Sequence, residues 1–134
     1  MMNNFDPTTL ENSFCDAIRT AGVSANVFPN RPRSLDANLQ DFVVCHVNGE
    51  IRDRCAIGEC VFFVALYARD VKNIKNGAKL SIMQTKLKGI APTFGNVVLK
   101  PFTFSPNGDI PDKNGYHVRI FYINAFVKPD TNTD

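Results

Sequence analysis

The sequence predicts an α+β fold in which two helices pack on one face of a mainly antiparallel or mixed sheet of four to six strands. Two segments show the apolar repeat of an amphipathic helix. The other ordered segments alternate in polarity or are rich in β-branched and aromatic residues, as strands are. Several strands follow one another without a helix between them, which favours helices grouped on one side of an antiparallel sheet.

The first helix is predicted over about 7–21. Asp6-Pro7 provides a cap and a suitable first residue, while Thr8 and Glu11 offer an alternative capping box. Gly22 ends the helix. Its apolar stripe consists of Leu10, Phe14, Ala17, Ile18 and Ala21.

The next segment, Val23–Phe28, is short and mixed, so it is either an edge strand or an extended arm. Pro29 and Pro32 exclude a central strand or a helix directly after it. The polar segment Ser34–Gln40 is predicted to be a loop.

A strand is predicted at Phe42–Val47. Asn48-Gly49, which follows it, is a strong hairpin signal, so Glu50–Ala56 is predicted to return as a polar strand at an edge. Gly58 then permits a turn or a bulge. The run Glu59–Ala68 is apolar at both alternating sets of positions, which predicts a central strand buried on both faces. One face would meet the helices, and the other would meet this chain's own segments or a neighbouring subunit.

The second helix is predicted after a cap at Asn73 or Asn76 and ends around Gly89 and Pro92. Its apolar stripe consists of Leu80, Met83, Leu87 and Ile90.

Two more strands are predicted after this helix, at Val97–Phe104 and Tyr116–Val127. Pro101 is an irregularity in the first of them. Residues 105–115 contain two prolines and two glycines and are predicted to form a loop of about ten residues.

Length and composition fit a single domain. The chain has 134 residues, so we expect 1–128 to form one domain and 129–134 to be a disordered polar tail. The net charge of +2, with no dense basic cluster, does not indicate nucleic-acid binding. The 11 Phe, against 3 Tyr and no Trp, supply apolar volume for a core or a dry interface.

We expect no signal peptide, because no positive region followed by an apolar core stands at the beginning of the sequence, and no apolar run approaches the roughly 18 residues that span a membrane. We therefore expect a reducing cytosol, in which the four cysteines stay free thiols in a core or an interface. Cys45 and His46 are adjacent in a strand and point to opposite faces, so they cannot act as a pair. His46 and His117 would meet only if their strands paired on one face.

A metal site is conceivable at one place. Asp109 and Asp112 share a segment with Asn107 and Asn114, and oxygen ligands of this kind bind Ca²⁺ or Mg²⁺. A Pro-rich turn between two strands explains the same residues and is preferred. Because the sequence also lacks the common catalytic and phosphate-binding motifs, we expect no enzyme activity, cofactor or metal.

Three stretches stand in a fixed order along the chain: Val27-Phe28-Pro29-Asn30-Arg31-Pro32, Asp41-Phe42-Val43-Val44-Cys45-His46-Val47-Asn48-Gly49, and Val61-Phe62-Phe63-Val64-Ala65-Leu66-Tyr67-Ala68-Arg69. This order resembles the tail terminator and tail-completion proteins of long-tailed phages. In that family an N-terminal helix leads to an arm with two prolines, then to an apolar strand ending at glycine. A second strand, ending in a Leu-Tyr-Ala type sequence, then precedes a helix rich in leucine or isoleucine.

The resemblance implies a structural virion protein in the tail or neck, assembled in the host cytoplasm. Such proteins form a ring, expected here to be a homohexamer, that stops polymerisation of the tail tube and presents a surface to a head-side connector. The implied partners are therefore further copies of the chain, the tail tube protein and the connector, with no membrane and no sequence-specific nucleic acid.

A ring subunit needs surfaces that reach its neighbours, and the arm Pro29–Ser34 and the segment 105–115 are suited to this. As a hypothesis, Arg31 and Arg33 pair with acidic groups on an adjacent subunit. The candidate interface residues are Phe28, Arg31, Arg33, Arg52, Arg69, Asp70, Asp109 and Asp112.

Two other function classes stay open. One is a different neck subunit, such as a head–tail adaptor, which has a similar size and composition of elements. The other is a small-molecule-binding or enzymatic α+β domain, whose pocket would lie between helices and sheet. The oligomeric state discriminates them, because a stable six-fold oligomer supports the terminator.

Overall fold

The chain folds in the order helix, four strands, helix, four strands. The computed structural model describes residues 6–32, 39–48, 51–54, 57–100, 103–112 and 114–128. Within them the elements are α1 (Pro7–Thr20), β1 (Val27–Phe28), β2 (Asp41–Val47), β3 (Arg52–Arg54), β4 (Ile57–Arg69), α2 (Gly77–Lys88), β5 (Thr93–Phe94), β6 (Val97–Leu99), β7 (Pro106–Asp112) and β8 (Tyr116–Val127). The polar tail expected at 129–134 lies outside the described residues.

The strands form one mixed sheet in the order β1-β2-β4-β8-β6-β5. Two further strands lie beside this path. β3 pairs with β4 on the edge that β2 also occupies, and β7 pairs with β8 on the edge that β6 also occupies. Every pairing is antiparallel except that between β1 and β2. Both helices bury their stripes in one core cluster on the same face of this sheet.

The predicted α+β class is therefore confirmed, while the predicted count of four to six strands is too low. The described residues contain eight strand segments in the sheet. β1 and β5 have two residues each, and β3 and β6 have three. An alternating pattern needs about four residues to be recognised, so segments this short have no sequence signature of their own.

The first helix begins and ends close to the predicted bounds. Asp6 caps it by accepting a hydrogen bond from the Thr8 backbone N–H at 3.2 Å, and Gly22 follows its end with a φ of +79°. Glu11 makes a different contact from the expected capping box. Its carboxylate accepts a hydrogen bond from the Val47 backbone N–H at 3.0 Å, which ties α1 to the end of β2.

The second helix is capped by Asn76, whose side chain accepts a hydrogen bond from the Lys79 backbone N–H at 3.1 Å. The alternative cap, Asn73, instead lies in a tight turn with a φ of 65°. The predicted stripe of Leu80, Met83 and Leu87 is buried.

The prediction that β4 is a central strand is confirmed, because β2 and β8 pair with its two edges. Its helix-facing residues are buried along the whole strand. On the opposite face only part of the strand is buried. Ala65 is fully covered there, whereas Val61 and Phe63 are only partly covered.

Two predicted connections are wrong. The segment after Asn48 does not return along β2, since β3 pairs with Ile57–Glu59 of β4. β4 extends beyond β2 and offers a free edge there, which the local hairpin signal does not reveal. The segment predicted as a loop at 105–115 contains β7, whose Pro106 and Pro111 are tolerated because the strand lies at an edge.

The core between sheet and helices is aromatic at its centre. The Phe14 ring of α1 lies edge-on to Phe62 of β4, with ring centroids 4.4 Å apart, and both side chains are fully buried. Phe94 closes the cluster at 5.3 Å from Phe14. This packing joins α1, the central strand and the β5 turn.

Replacing Phe62 by Ala should lower the free energy of unfolding by about 3–5 kcal/mol, because it removes a fully buried ring and leaves a cavity. The matched control is Phe126→Ala on β8, where the ring is 38% exposed and the expected loss is about 1 kcal/mol. Urea unfolding followed by circular dichroism measures both changes. Equal losses would contradict the assignment of the core to the helix side of the sheet.

Candidate functional site

The face of the sheet that points away from the helices, which we call the outer face, has two differently covered halves. The covered half is a buried cluster of Phe42, Val44, Ala65, Tyr116 and Val118. The open half consists of His46, Val61, Phe63, Tyr122 and Phe126, none of which is fully buried. The two sets share one face because strand side chains alternate and the paired residues of β2, β4 and β8 stay in register.

The covered half is covered by this chain's own residues between β1 and β2, of which 29–32 and 39–40 are described; we call these described residues the arm. Phe28, which precedes the arm, and Leu39, which ends it, pack against the cluster together with Tyr67 of β4. The Tyr67 ring stacks on Phe42 at 4.2 Å between centroids, and Tyr116 meets Phe42 edge-on at 5.3 Å. The sequence left open whether this chain or a neighbour would cover the outer side of β4, and for this half the chain itself does so.

Polar contacts hold the end of the arm in place. Tyr116 donates its hydroxyl hydrogen to the Leu39 carbonyl at 2.8 Å. Arg69 donates to the same carbonyl at 3.0 Å and to the Tyr116 hydroxyl at 2.8 Å. The Tyr116 hydroxyl and the Arg69 guanidinium are therefore hydrogen-bonded to each other, and both hold the backbone of Leu39 in place just before β2.

Arg31 fixes the other described part of the arm. Its guanidinium forms an ion pair with Asp112 of β7 at 2.9 Å and lies 5.9 Å from the centre of the Tyr67 ring. Burial raises the pKa of Tyr67, the nearby Asp112 raises it further, and Arg31 opposes this rise. Arg31 Nε is buried and has no hydrogen-bond partner in the described part of the chain. The pair thus joins the arm to the far edge of the sheet.

The open half presents a row of aromatic rings across three strands. His46 of β2 stacks on Phe63 of β4 with 4.7 Å between centroids, and Phe63 meets Tyr122 of β8 edge-on at 5.7 Å. Tyr122 is 44% exposed, and Phe126, four residues further along β8 on the same face, is 38% exposed. Lys100 places its ammonium 4.4 Å from the centre of the Phe126 ring. Among the described residues, Tyr122 and Phe126 are the aromatic side chains with the greatest exposure.

On the helix side, a charged cluster joins β7, β8 and α2. Arg119 contacts both carboxylate oxygens of Asp109, at 2.7 and 2.9 Å, and donates to Gln84 at 2.8 Å. Lys75 reaches Asp109 at 3.1 Å. The hydrogen bond from Arg119, helped by Lys75, lowers the pKa of Asp109 to about 2. The cluster holds α2 against the strand β7 at the edge of the sheet.

The possible cation site at Asp109 and Asp112 is not formed. The two carboxylates form ion pairs with different basic side chains. Asp109 pairs with Arg119 and Lys75, and Asp112 pairs with Arg31. Among the described residues no group of three or more His, Cys, Asp or Glu side chains has the arrangement of a metal site.

The two histidines do not meet either. His46 faces outward and stacks on Phe63, whereas His117 lies on the helix side, with Nδ1 at 2.7 Å from Asp70. His46 is paired with Phe63 and His117 with Ala68, and these two residues of β4 point to opposite faces of the sheet, so the two histidines do as well. Cys45 is buried on the helix side, opposite to His46, as strand alternation predicts.

The candidate interface residues lie in three places. Phe28, Arg31, Arg69 and Asp112 belong to the arm and the covered half. Asp70 and Asp109 pair with His117 and Arg119 on the helix side. Arg33 lies outside the described residues, and of Arg52 only the backbone in β3 is described. All those with described side chains have partners within this chain, and their role between subunits stays a prediction.

Sequence reasoning missed Tyr122 and Phe126. The alternation along β8 could have indicated that they are exposed. Tyr122 and Phe126 share one face of the strand with Asn124, while Phe121 and Ile123 are fully buried on the opposite face. A polar residue in an otherwise aromatic row marks a face that water reaches.

A groove of about 510 Å³ lies on the helix side, between α1 and the segment from Gly89 to Gly95. Small and apolar residues line most of it, among them Ala17, Ala21 and Phe94. Asp16 at its border is paired with Arg19 at 2.9 Å. The groove therefore has few polar groups free to orient a small molecule.

A scan against protein-family models gives no match, and a search of curated proteins gives none either. Neither helix in the described residues has the length and apolar character required to cross a membrane.

Acid should weaken the fold through Asp109. Its pKa is about 2 in the folded protein against an ordinary value of 3.8, so its stabilisation is complete above about pH 4 and is lost as the pH falls towards 2. Asp109→Asn should lower the free energy of unfolding at pH 7 by on the order of 2 kcal/mol and flatten this acid dependence. Asp16→Asn, at an exposed pair within α1, should have little effect. Chemical unfolding at a series of pH values tests this, and an unchanged acid slope in Asp109→Asn would contradict it.

Arg31 and Asp112 should stabilise each other within a single chain, and not only between subunits. A double-mutant cycle with Arg31→Met and Asp112→Asn should give a coupling energy of about 0.5–2 kcal/mol in urea unfolding. The measurement belongs at a protein concentration where light scattering shows monomers. Coupling that is absent in monomers and appears only in an oligomer would place the pair between subunits instead.

Proposed function

We propose that the protein is a structural phage tail subunit, a tail terminator that forms a ring, caps the tail tube and joins it to the head-side connector. In this proposal each subunit uses the open half of its outer face to contact a protein neighbour. The ring is assembled in the host cytoplasm and remains in the virion neck.

The observation that carries this proposal is the contrast between the two halves of the outer face. The arm covers Phe42 and Tyr116, whereas Tyr122 and Phe126 keep 44% and 38% of their surface exposed. Exposed aromatic side chains grouped on one face are typical of a protein interface, where aromatic residues dominate the binding energy. Lys100 beside Phe126 adds a cation at the border of the surface, where charges favour specificity.

The order of elements supports the more specific part of the proposal. The resemblance to tail terminators rests on an N-terminal helix, a proline arm, an apolar strand and a long central strand before a leucine-rich helix. α1, the arm, β2, β4 and α2 follow this order, with the arm packed on the outer face. Tube, connector and six-fold ring come from that resemblance.

A closed ring requires two different surfaces that fit each other, because every subunit contacts one neighbour on each side. The open half provides one. The second candidate is the edge strand β7, which lies on β8 at the side of the sheet away from β1. Its Ile110 points to the outer face and is 45% exposed. An exposed strand edge with an apolar side chain is suited to a reciprocal surface.

The small-molecule alternative depends on the groove beside α1. Its volume of about 510 Å³ falls in the range of ligand pockets, but its lining offers few polar groups that would select a ligand. The groove therefore supports ligand binding less than the aromatic row supports a protein contact. A head–tail adaptor would use the same aromatic row, and its partner distinguishes it from a terminator.

Charge introduced into the open half should abolish the ring. In native mass spectrometry we expect the wild-type chain to form an oligomer, alone or after addition of tail tubes, and Tyr122→Lys with Phe126→Lys to leave monomers. The reason is that a buried unpaired lysine at an interface costs several kcal/mol. Ile82→Lys is the matched control, since Ile82 is 53% exposed on α2, away from the outer face.

Circular dichroism and thermal unfolding show whether the variants keep the fold. An oligomer that survives in the folded double variant, or is lost in Ile82→Lys, would contradict the use of the open half. Negative-stain images with tail tubes separate the function classes. Rings seated on tube ends support a terminator, binding to connectors without tubes supports an adaptor, and a monomer that contacts neither contradicts both.

A further inference from the structure

We propose that Cys15 and Cys45 are a redox modification site, and that a disulfide oxidant such as oxidised glutathione converts them to an intramolecular disulfide that joins α1 to β2. The two residues are separated by 30 positions in sequence and meet in the core on the helix side of the sheet. The inference is independent of the proposed function.

The geometry places the Cys15 thiol against the backbone of Cys45. Cys15 Sγ lies 3.8 Å from the Cys45 carbonyl oxygen, as a weak hydrogen-bond donor. Both side chains belong to the same buried cluster on the helix side of the sheet. The Cys15 sulfur therefore lies beside the residue that carries the second thiol, which is the juxtaposition that a disulfide between α1 and β2 requires.

Contacts one helical turn on either side keep α1 in this register. Glu11, four residues before Cys15, accepts a hydrogen bond from the Val47 backbone N–H at 3.0 Å. Arg19, four residues after it, donates to the Val27 carbonyl at 2.9 Å. Residues 11, 15 and 19 form one stripe of the helix, so the stripe is attached to the sheet at both ends with the cysteine in its middle.

The two thiols have different roles in the reaction. The hydrogen bond from Cys45 lowers the pKa of Cys15, which favours its thiolate. Burial raises the pKa of Cys45 well above its ordinary value. Cys15 is also the thiol with some contact to solvent, at 4% exposure against 0% for Cys45. Because an oxidant reaches the thiol nearer to solvent first, we assign Cys15 as the attacking group and Cys45 as the resolving group.

The reaction balances with oxidised glutathione as the oxidant. The Cys15 thiolate attacks one sulfur of the oxidant, forming a mixed disulfide and releasing one glutathione thiolate. Cys45 then gives up its proton and attacks the Cys15 sulfur, which releases the second glutathione. The protein loses two hydrogens and two electrons, and one oxidised glutathione becomes two reduced glutathiones.

A third described cysteine provides an internal comparison. Cys60 of β4 is buried to a similar extent, at 5% exposure, and burial raises its pKa to about 11. No other described cysteine perturbs it. A buried thiol without a neighbour should stay reduced under conditions that link Cys15 to Cys45.

The disulfide would restrain more than the helix. The chain between Cys15 and Cys45 contains β1 and the arm, including Phe28 and Arg31 on the covered half of the outer face. Closing this loop lowers the entropy of the unfolded chain and therefore stabilises the segment that covers the sheet. The linked form is favoured outside a reducing cytosol and the open form within it.

The test uses folded wild-type protein and a Cys55→Ser, Cys60→Ser variant that keeps only Cys15 and Cys45. After incubation with oxidised glutathione, non-reducing peptide mapping should identify a Cys15–Cys45 link and a mass loss of about two units. The melting temperature should rise by roughly 10 °C and return to its starting value after dithiothreitol. Cys45→Ser should stop the reaction at a glutathione adduct on Cys15.

Other outcomes would overturn the inference. These are a link that involves Cys60, an adduct on Cys15 that never resolves in wild-type protein, or reaction only in urea. If the serine variants fail to fold, peptide mapping of wild-type protein still decides, because it locates the bond directly. A link formed without any rise in melting temperature would retain the modification site and contradict the proposed restraint of the arm.

Discussion

The antiparallel pairing of β4 with β2 and β8 is the constraint on which the rest of the structure depends. β8 follows β4 from Gly58 to Arg69, and β2 follows it from Phe62 to Ala68. This register sorts alternate side chains of three strands onto two faces at once. A slip by one residue would exchange the helix-side core for the aromatic rings of the outer face, so register and burial fix each other.

The sequence revealed the parts of the fold that are local. The stripe and cap of α1, and the central position of β4, follow from patterns of neighbouring residues and were predicted correctly, whereas the predicted burial of β4 on both faces holds only for part of its outer face. β3 and β7 were not, because their partners are chosen by which strand edge is free. Pro106 and Pro111 argue against a strand unless it lies at an edge, and that position is a property of the whole sheet.

The candidate site was predictable only in part for the same reason. Apolar alternation in β8 indicates two apolar faces but not which of them the chain covers. Phe121 and Tyr122 both suit a core, and only the path of the arm leaves Tyr122 in solvent. Likewise, Arg31 and Asp112 are 81 positions apart, and their pairing follows from the arm crossing the sheet to reach β7.

The charged residues and the aromatic residues therefore have separate tasks. Arg31, Arg69 and Arg119 bind carboxylates, a carbonyl or a hydroxyl within the chain, and so they position the arm, β2 and α2. A guanidinium used in this way loses part of its capacity to attract a neighbour, since its hydrogen-bond directions are occupied. In the proposed ring, association would then depend on surface that internal contacts leave open, which on the outer face is the row from His46 to Phe126.

The arm connects this surface to the core beneath the sheet. It begins after β1, where Arg19 attaches α1, and it ends at β2, whose Cys45 faces α1 and whose His46 begins the open row. Adjacent residues of one strand thus contact the helix on one side and the aromatic row on the other. Because close-packed cores transmit small displacements, a change in how α1 sits on Cys45 should alter the position of His46 and Phe63. The proposed disulfide at Cys45 would therefore act on the same strand that carries His46 of the proposed binding surface.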